Sequence, residues 1–187
     1  MIVDDPYASG LLHKEHHSRL VANLTNFAKD AGIQRHWVWT PIESFCSDEE
    51  QTYVNAFKRH AQFGIGGMAY VGMSGLEVRN RMCVITGKLV RNFIRARMMT
   101  LGTVLDTIAS EGSVTATCLL IPNFFIPKNQ GGSIATWQVQ ALFDMLMQRQ
   151  ADGQQTIIAV TDKGLLGKEY GRPFVELLDT AYRIIKS

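Results

Sequence analysis

The residues with the most chemical potential are Gly72-Met-Ser-Gly-Leu-Glu-Val-Arg79, which follow the apolar run Met68-Ala-Tyr-Val71 and precede an amphipathic helix beginning near Val78. A strand, a glycine loop and a helix in that order form the setting of the phosphate-cradling pattern G-x-x-x-x-G-K-[ST]. Laid on the pattern from Gly72, the last three positions are Glu77, Val78 and Arg79. The second glycine, the phosphate lysine and the magnesium hydroxyl are therefore absent, and only Gly75 adds flexibility to the loop. Backbone N–H cradles attract anions, so a glutamate at such a cradle repels a triphosphate. The expectation is the setting of a nucleotide site without its chemistry.

Other chemically capable residues carry less. His13 and His17 are four apart and can share a helix face as zinc ligands do, with His16 beside them. A third and fourth ligand are not evident, because Glu15 faces elsewhere, so an exposed polar helix is expected. Cys46, Cys83 and Cys118 are odd in number and widely spaced, without C-x-x-C, which fits a reducing cytosol. Thr86-Gly87-Lys88 contains Gly-Lys but falls inside a helix without the preceding loop glycine. Asp144 and Glu176 read as surface charges. Trp37 and Trp39, with Phe45 close behind, could stack on a base, although aromatic residues anchoring a linker to a core are commoner.

One helix carries a charge pattern. At about 100° per residue, Met82, Leu89, Val90 and Phe93 share one face, and Arg81, Lys88, Arg91 and Arg95 group opposite. Such a stripe contacts DNA phosphates or an acidic partner, or is simply a solvated face.

Composition sets the frame. The 187 residues suit one domain with a real core, and 46% hydrophobic and 19% charged residues read as globular. A net charge of +2 leaves any nucleic-acid role to local clustering. The opening Met-Ile-Val-Asp-Asp-Pro is acidic without a signal-peptide core. No run approaches the roughly 18 apolar residues of a membrane span. A cytoplasmic location is expected.

These residues must be positioned by a series of alternating elements. A helix is expected over 11–31, with Leu20, Leu24 and Phe27 at helical spacing and Gly32 as its stop. An extended aromatic linker, 33–41, follows. Ser47-Asp-Glu-Glu50 has the signature of a helix start, and that helix is expected to run to about Phe63. After the strand at 68–71 come a helix over 78–96, a strand near 96–100 and a short helix over 102–109. The strand Thr115–Ile121 is ended by Pro122. A helix over 134–150, a strand over 155–160 and a closing helix over 173–186 complete the chain. Strands alternating with helices predict a parallel sheet covered on both faces.

With this order of elements, the chain resembles the DnaC/IstB group of AAA+ helicase loaders over roughly residues 24–180. The likeness rests on Gly32-Ile33 and the aromatic linker to Phe45, on Glu50-Gln51, and on Val71-Gly72-Met-Ser-Gly75 through Thr107. Leu119-Leu-Ile-Pro-Asn123 falls where the family has an apolar strand ending in two acids. A helix ending in Arg149, the sensor-like strand Thr156–Asp162 and Tyr170-Gly-Arg172 near the trans-acting arginine continue it. Pro122 and Asn123 replace both magnesium-holding carboxylates, Asp162 stands where an asparagine is usual, and the stretch from Asp106 to Thr115 is short.

The resemblance implies an α/β fold: a P-loop NTPase (AAA+)-like parallel sheet with helices on both faces, a degenerate nucleotide site and an N-terminal helical extension. Residues 1–34 are expected to form that extension and 35–187 the α/β domain. It implies a helicase-docking ridge of Leu20, Leu24 and Phe27, with Arg81, Lys88, Arg91 and Arg95 as DNA-binding candidates. No catalytic residue, cofactor or metal is expected, and Arg172 is expected to serve as a surface arginine. The implied function is a replication accessory protein, a pseudo-ATPase of a phage or other mobile element. It would bind a DnaB-type replicative helicase hexamer and load it, self-associating on the ring and contacting single-stranded DNA. Alternatives are a regulator of an active AAA+ loader or transposition ATPase, an ATPase using Arg79 or Arg81 at an unconventional phosphate site, and a plain single-stranded DNA binder.

Overall fold

The computed structural model describes residues 5–186; residues 1–4 of the acidic opening and Ser187 lie outside the described residues. Two short helices, α1 (Lys14–Ala22) and α2 (Leu24–Asp30), stand where one was expected. They break at Asn23, whose side chain donates to the Arg19 carbonyl, a local bond that competes with helix continuation. The aromatic linker is not extended: Arg35–Trp39 forms a 3₁₀ turn. Helix α3 (Asp48–Asn55) begins at a capping box of Ser47 and Glu50, as its sequence signature predicts, and a 3₁₀ stretch, Phe57–Phe63, carries the chain to the sheet.

Then follow β1 (Gly67–Val71), α4 (Gly75–Arg91), β2 (Ala96–Met98), α5 (Leu101–Glu111), β3 (Cys118–Phe125), α6 (Thr136–Ala151) and β4 (Gln155–Val160). The chain closes with α7 (Lys163–Glu169), α8 (Arg172–Ala181) and β5 (Tyr182–Lys186). The expected closing helix thus stops at Ala181, and Tyr182-Arg-Ile-Ile-Lys186 is a fifth strand pairing with β1. β-Branched and aromatic residues favour that strand, but so short an apolar run reads equally as helix.

All strands are parallel, in the order β2-β3-β4-β1-β5. Inserting β1 between β4 and β5 creates a point where the strand order reverses, and α/β sheets bind ligands beyond their strand ends there. Strand β3 does not end at Pro122. Ile121 pairs with Ile158 and Phe125 with Val160, so four steps on β3 face two on β4. A bulge suits Pro122, which has no N–H to give a ladder.

Alternating strand residues feed two cores. One face joins Met68, Tyr70 and Ile157 to Val78, Met82 and Ile85 of α4; the other joins Ala69, Leu119 and Ile158 to α5, α6 and α8. Leu12, Leu20, Leu24 and Ala31 belong to the first core, so residues 5–34 share the sheet's core and the 34/35 boundary separates no independent packing unit. No helix among the described residues is long and apolar enough to cross a membrane.

Gly87 shows how closely this layer packs. A Cβ there would lie 2.0 Å from the Trp37 carbonyl oxygen. The mid-helix glycine of Thr86-Gly87-Lys88 therefore seats the 3₁₀ turn on α4.

Candidate functional site

The loop from β1 to α4 lies at the reversal point. Only residues 72–74 separate the two elements, and the Gly72 N–H donates to the Val160 carbonyl at 3.0 Å. Gly75 takes φ +78°, a conformation that favours glycine. Because α4 opens at Gly75, Glu77 and Val78 lie in its first turn and Arg79 follows directly.

These residues do not fit a magnesium–triphosphate. Val78, where the pattern has its lysine, is fully buried in the core. Arg79 replaces the metal-binding hydroxyl and is exposed. Glu77, 67% exposed, is held by Arg81 Nη2 at 2.7 Å. On β3, Asn123 Oδ1 accepts the Leu101 N–H at 2.9 Å, satisfying an orphan donor at the start of α5. Asp162 caps α7, accepting the Leu165 N–H at 2.8 Å. Val78, Arg79, Pro122 and Asn123 offer no amine, hydroxyl or carboxylate at the positions that the pattern requires.

Behind the loop lies a polar lock. Glu50 is completely buried. Its Oε2 accepts the Ser47 N–H at 2.8 Å, the Ser47 hydroxyl at 2.9 Å and Arg81 Nη1 at 2.7 Å, and its Oε1 accepts the Tyr70 hydroxyl. Burial, reinforced by Glu50, raises the Tyr70 pKa. Burial alone would lower that of Arg81, but Glu77 and Glu50 more than offset this and raise it. Glu50 on α3 thereby ties β1, through Tyr70, to α4, through Arg81. Sequence reasoning found Glu50 as a cap but not as the centre of this network; the buried-strand tyrosine was the missed signal.

The proposed basic face is therefore corrected. Arg81 is paired, and Arg91 is buried, with Nη1 donating to the Val38 and Thr40 carbonyls at 3.2 Å each. Lys88 donates to Asn55 Oδ1 at 2.7 Å, and burial lowers its pKa. Arg95 is exposed but lies beyond α4, where its carbonyl accepts from Thr117 and Cys118. The 3₁₀ turn and α3 cover the face that periodicity had assigned to solvent.

The docking ridge is corrected likewise. Leu20 and Leu24 are buried, and Phe27 alone of the three is exposed, at 46%. It lines a cleft of about 650 Å³ with Phe93, Arg19, Asn23, Asn26 and Asp30. Phe93 is 68% exposed and lies outside α4. Its φ is +60°, at a helix end where Phe93 N–H donates to Val90 and Ile94 N–H to Leu89, each at 2.9 Å. That is a Schellman closure, in which glycine is usual at the left-handed position.

The remaining candidates are structural. His17 stacks on Phe93 at 5.5 Å. Its Nδ1 accepts the His13 N–H at 2.9 Å, leaving Nε2–H to donate to the Arg91 carbonyl at 3.0 Å. His13 and His16 are exposed on a mostly polar helix, as expected, and only His17 of the three is buried; no group of three or more His, Cys, Asp or Glu that could hold a metal occurs among the described residues. Trp39 is buried and Trp37 meets Phe45 edge-on at 5.2 Å, the anchoring arrangement. Arg149 is buried and donates to Thr156, Val114, Gln154 and Gln155 at 2.8–3.0 Å, joining α6 to β4. Arg172 is 87% exposed and pairs with Glu176 at 2.8 Å.

No protein-family model matches this sequence, and no curated protein matches it either. Among solved structures, the chain is similar to the crystal structure of a DNA replication initiation factor, with 12% identity and a TM-score of 0.52. The likeness covers 78% of this chain and 48% of that one, so the chain spans about half of that factor's length. It establishes the fold alone: a five-stranded parallel sheet between helices, shared with that factor.

Proposed function

We propose that this protein is a DNA-replication accessory factor that binds a hexameric, DnaB-type replicative helicase and loads it without hydrolysing ATP. One observation carries the reading. An AAA+-like frame is kept while Val78 is sealed in the core where the phosphate lysine belongs and Asn123 caps a helix where a metal-holding acid belongs. Phosphoryl transfer depends almost wholly on such positioned charges. A protein without them must act through contact energy, favouring an open helicase ring by binding it more tightly than the closed one.

The surface best suited to that contact is the Phe27–Phe93 cleft, with its two exposed rings and polar rim. Interfaces concentrate binding energy in such aromatic anchors. The test is size-exclusion chromatography with light scattering on a mixture with the helicase, run without nucleotide. Co-elution at a fixed ratio supports the proposal. Separate elution at micromolar concentrations contradicts it.

A further inference from the structure

A second cavity lies at the other end of β1, where α3 and the Phe57–Phe63 stretch meet the first residues of β5. Its volume is about 630 Å³, and Tyr53, Ala56, Ile65 and Phe63 give it apolar walls. Phe63 is 74% exposed, so the cavity opens to solvent beside an unpacked ring. A volume of this size accommodates a large side chain with its neighbours.

Two guanidiniums, Arg59 and Arg183, also line it. Both residues are exposed, and neither forms an ion pair or a side-chain hydrogen bond among the described residues. His60 lines the cavity beside Tyr53: burial lowers its pKa most, its bond to the Tyr53 carbonyl opposes this, and Arg183 and Arg59 lower it further. His60 cannot move aside, because its ring stacks on Tyr53 at 4.2 Å and its Nε2–H donates to the Tyr53 carbonyl at 2.7 Å. Tyr53 in turn donates to Gln155 at 2.7 Å. The floor is tied by these contacts, and the two guanidiniums have no ion-pair partner among the described residues. Glu49 also lines the cavity, and its charge repels an anion that approaches it.

Arg183 sits on β5, which pairs with β1 on one side and with no strand on the other among the described residues. That free edge offers a row of backbone donors and acceptors to an extended chain. From the cavity, the two unpaired arginines and the open strand, we infer that this end of the fold binds an extended acidic peptide of a protein partner, with one large apolar side chain filling the cavity and flanking carboxylates on Arg59 and Arg183. A nucleic acid fits less well, since Glu49 and the apolar walls leave no continuous track for phosphates. The inference is independent of helicase binding.

Fluorescence anisotropy with the labelled peptide Gly-Asp-Asp-Leu-Phe-Asp-Asp-Gly tests it. The peptide should bind the full chain at micromolar levels, and Arg59→Ala and Arg183→Ala should each weaken it about tenfold, the scale of one charge-assisted contact. The same peptide with Asn for Asp, or Ala for Phe, should lose a similar factor on the wild-type protein, a comparison that needs no variant to fold. Failure to bind below millimolar concentration would overturn the inference, as would equal binding to the Arg59→Ala/Arg183→Ala double variant. Phenylacetate binding as tightly as the peptide, or displacement of the peptide by oligothymidylate at lower concentration than by unlabelled peptide, would also overturn it.

Discussion

Arg81 holds the buried carboxylate of Glu50 at 2.7 Å, Nη1 to Oε2, directly behind the loop that connects β1 to α4. Tyr70 and Ser47 complete the bonds to Glu50, while the buried Nε of Arg81 has no hydrogen-bond partner among the described residues. Removing one partner of a buried pair leaves the other charge uncompensated. Arg81→Ala should therefore destabilise the fold by about 3 kcal/mol in denaturant unfolding. Glu77→Ala removes only the exposed side of the network and should cost under about 0.5 kcal/mol.

His60 gives the fold an acid-side weakness. Burial lowers its pKa below the ordinary value near 6.5. Between the two values the unfolded chain binds a proton that the folded chain does not, so stability rises with pH. The contribution is complete above about pH 6.5 and is lost as the pH falls toward the folded value. The denaturant midpoint should drop between pH 7.5 and 5.5, and His60→Gln should flatten that slope while lowering stability at pH 7.5.

Phe93 separates stability from binding. Its left-handed backbone costs on the order of 1 kcal/mol that glycine does not incur. Phe93→Gly should stabilise the isolated protein by about 0.5–1 kcal/mol and weaken helicase association about tenfold or more. Thermal melting and the co-elution titration read the two effects separately.

Much of this was legible in the chain and some was not, for identifiable reasons. The β1–α4 unit, the capping box at Ser47 and β4 follow from period, cap chemistry and apolar runs. Strand β5 was missed because Tyr182–Lys186 continues directly from an amphipathic helix without a glycine or proline between them. The basic face was misassigned because periodicity separates faces of a helix without saying which a distant segment covers. Arg91 shows this: its acceptors lie more than fifty residues away, on Val38 and Thr40. The substitutions at Val78 and Asn123 were readable, but their new uses, core packing and a helix cap, required three dimensions.

The thiols give a simple check on packing. Burial pushes Cys83 up to about 11 and Cys118 up to about 12, and Cys46 is raised further by burial and by Glu50. Reactivity needs the thiolate and access. Ellman's reagent at pH 8 should label the native protein very slowly, and all 3 cysteines rapidly in denaturant.

The proposed function holds that the β1–α4 loop of this fold does no nucleotide chemistry. Calorimetric titration of the purified protein with Mg·ATP, followed by a phosphate-release assay on the same sample, addresses it directly. The account predicts no binding heat up to millimolar nucleotide and no phosphate above the protein-free rate. Micromolar binding accompanied by turnover would contradict it.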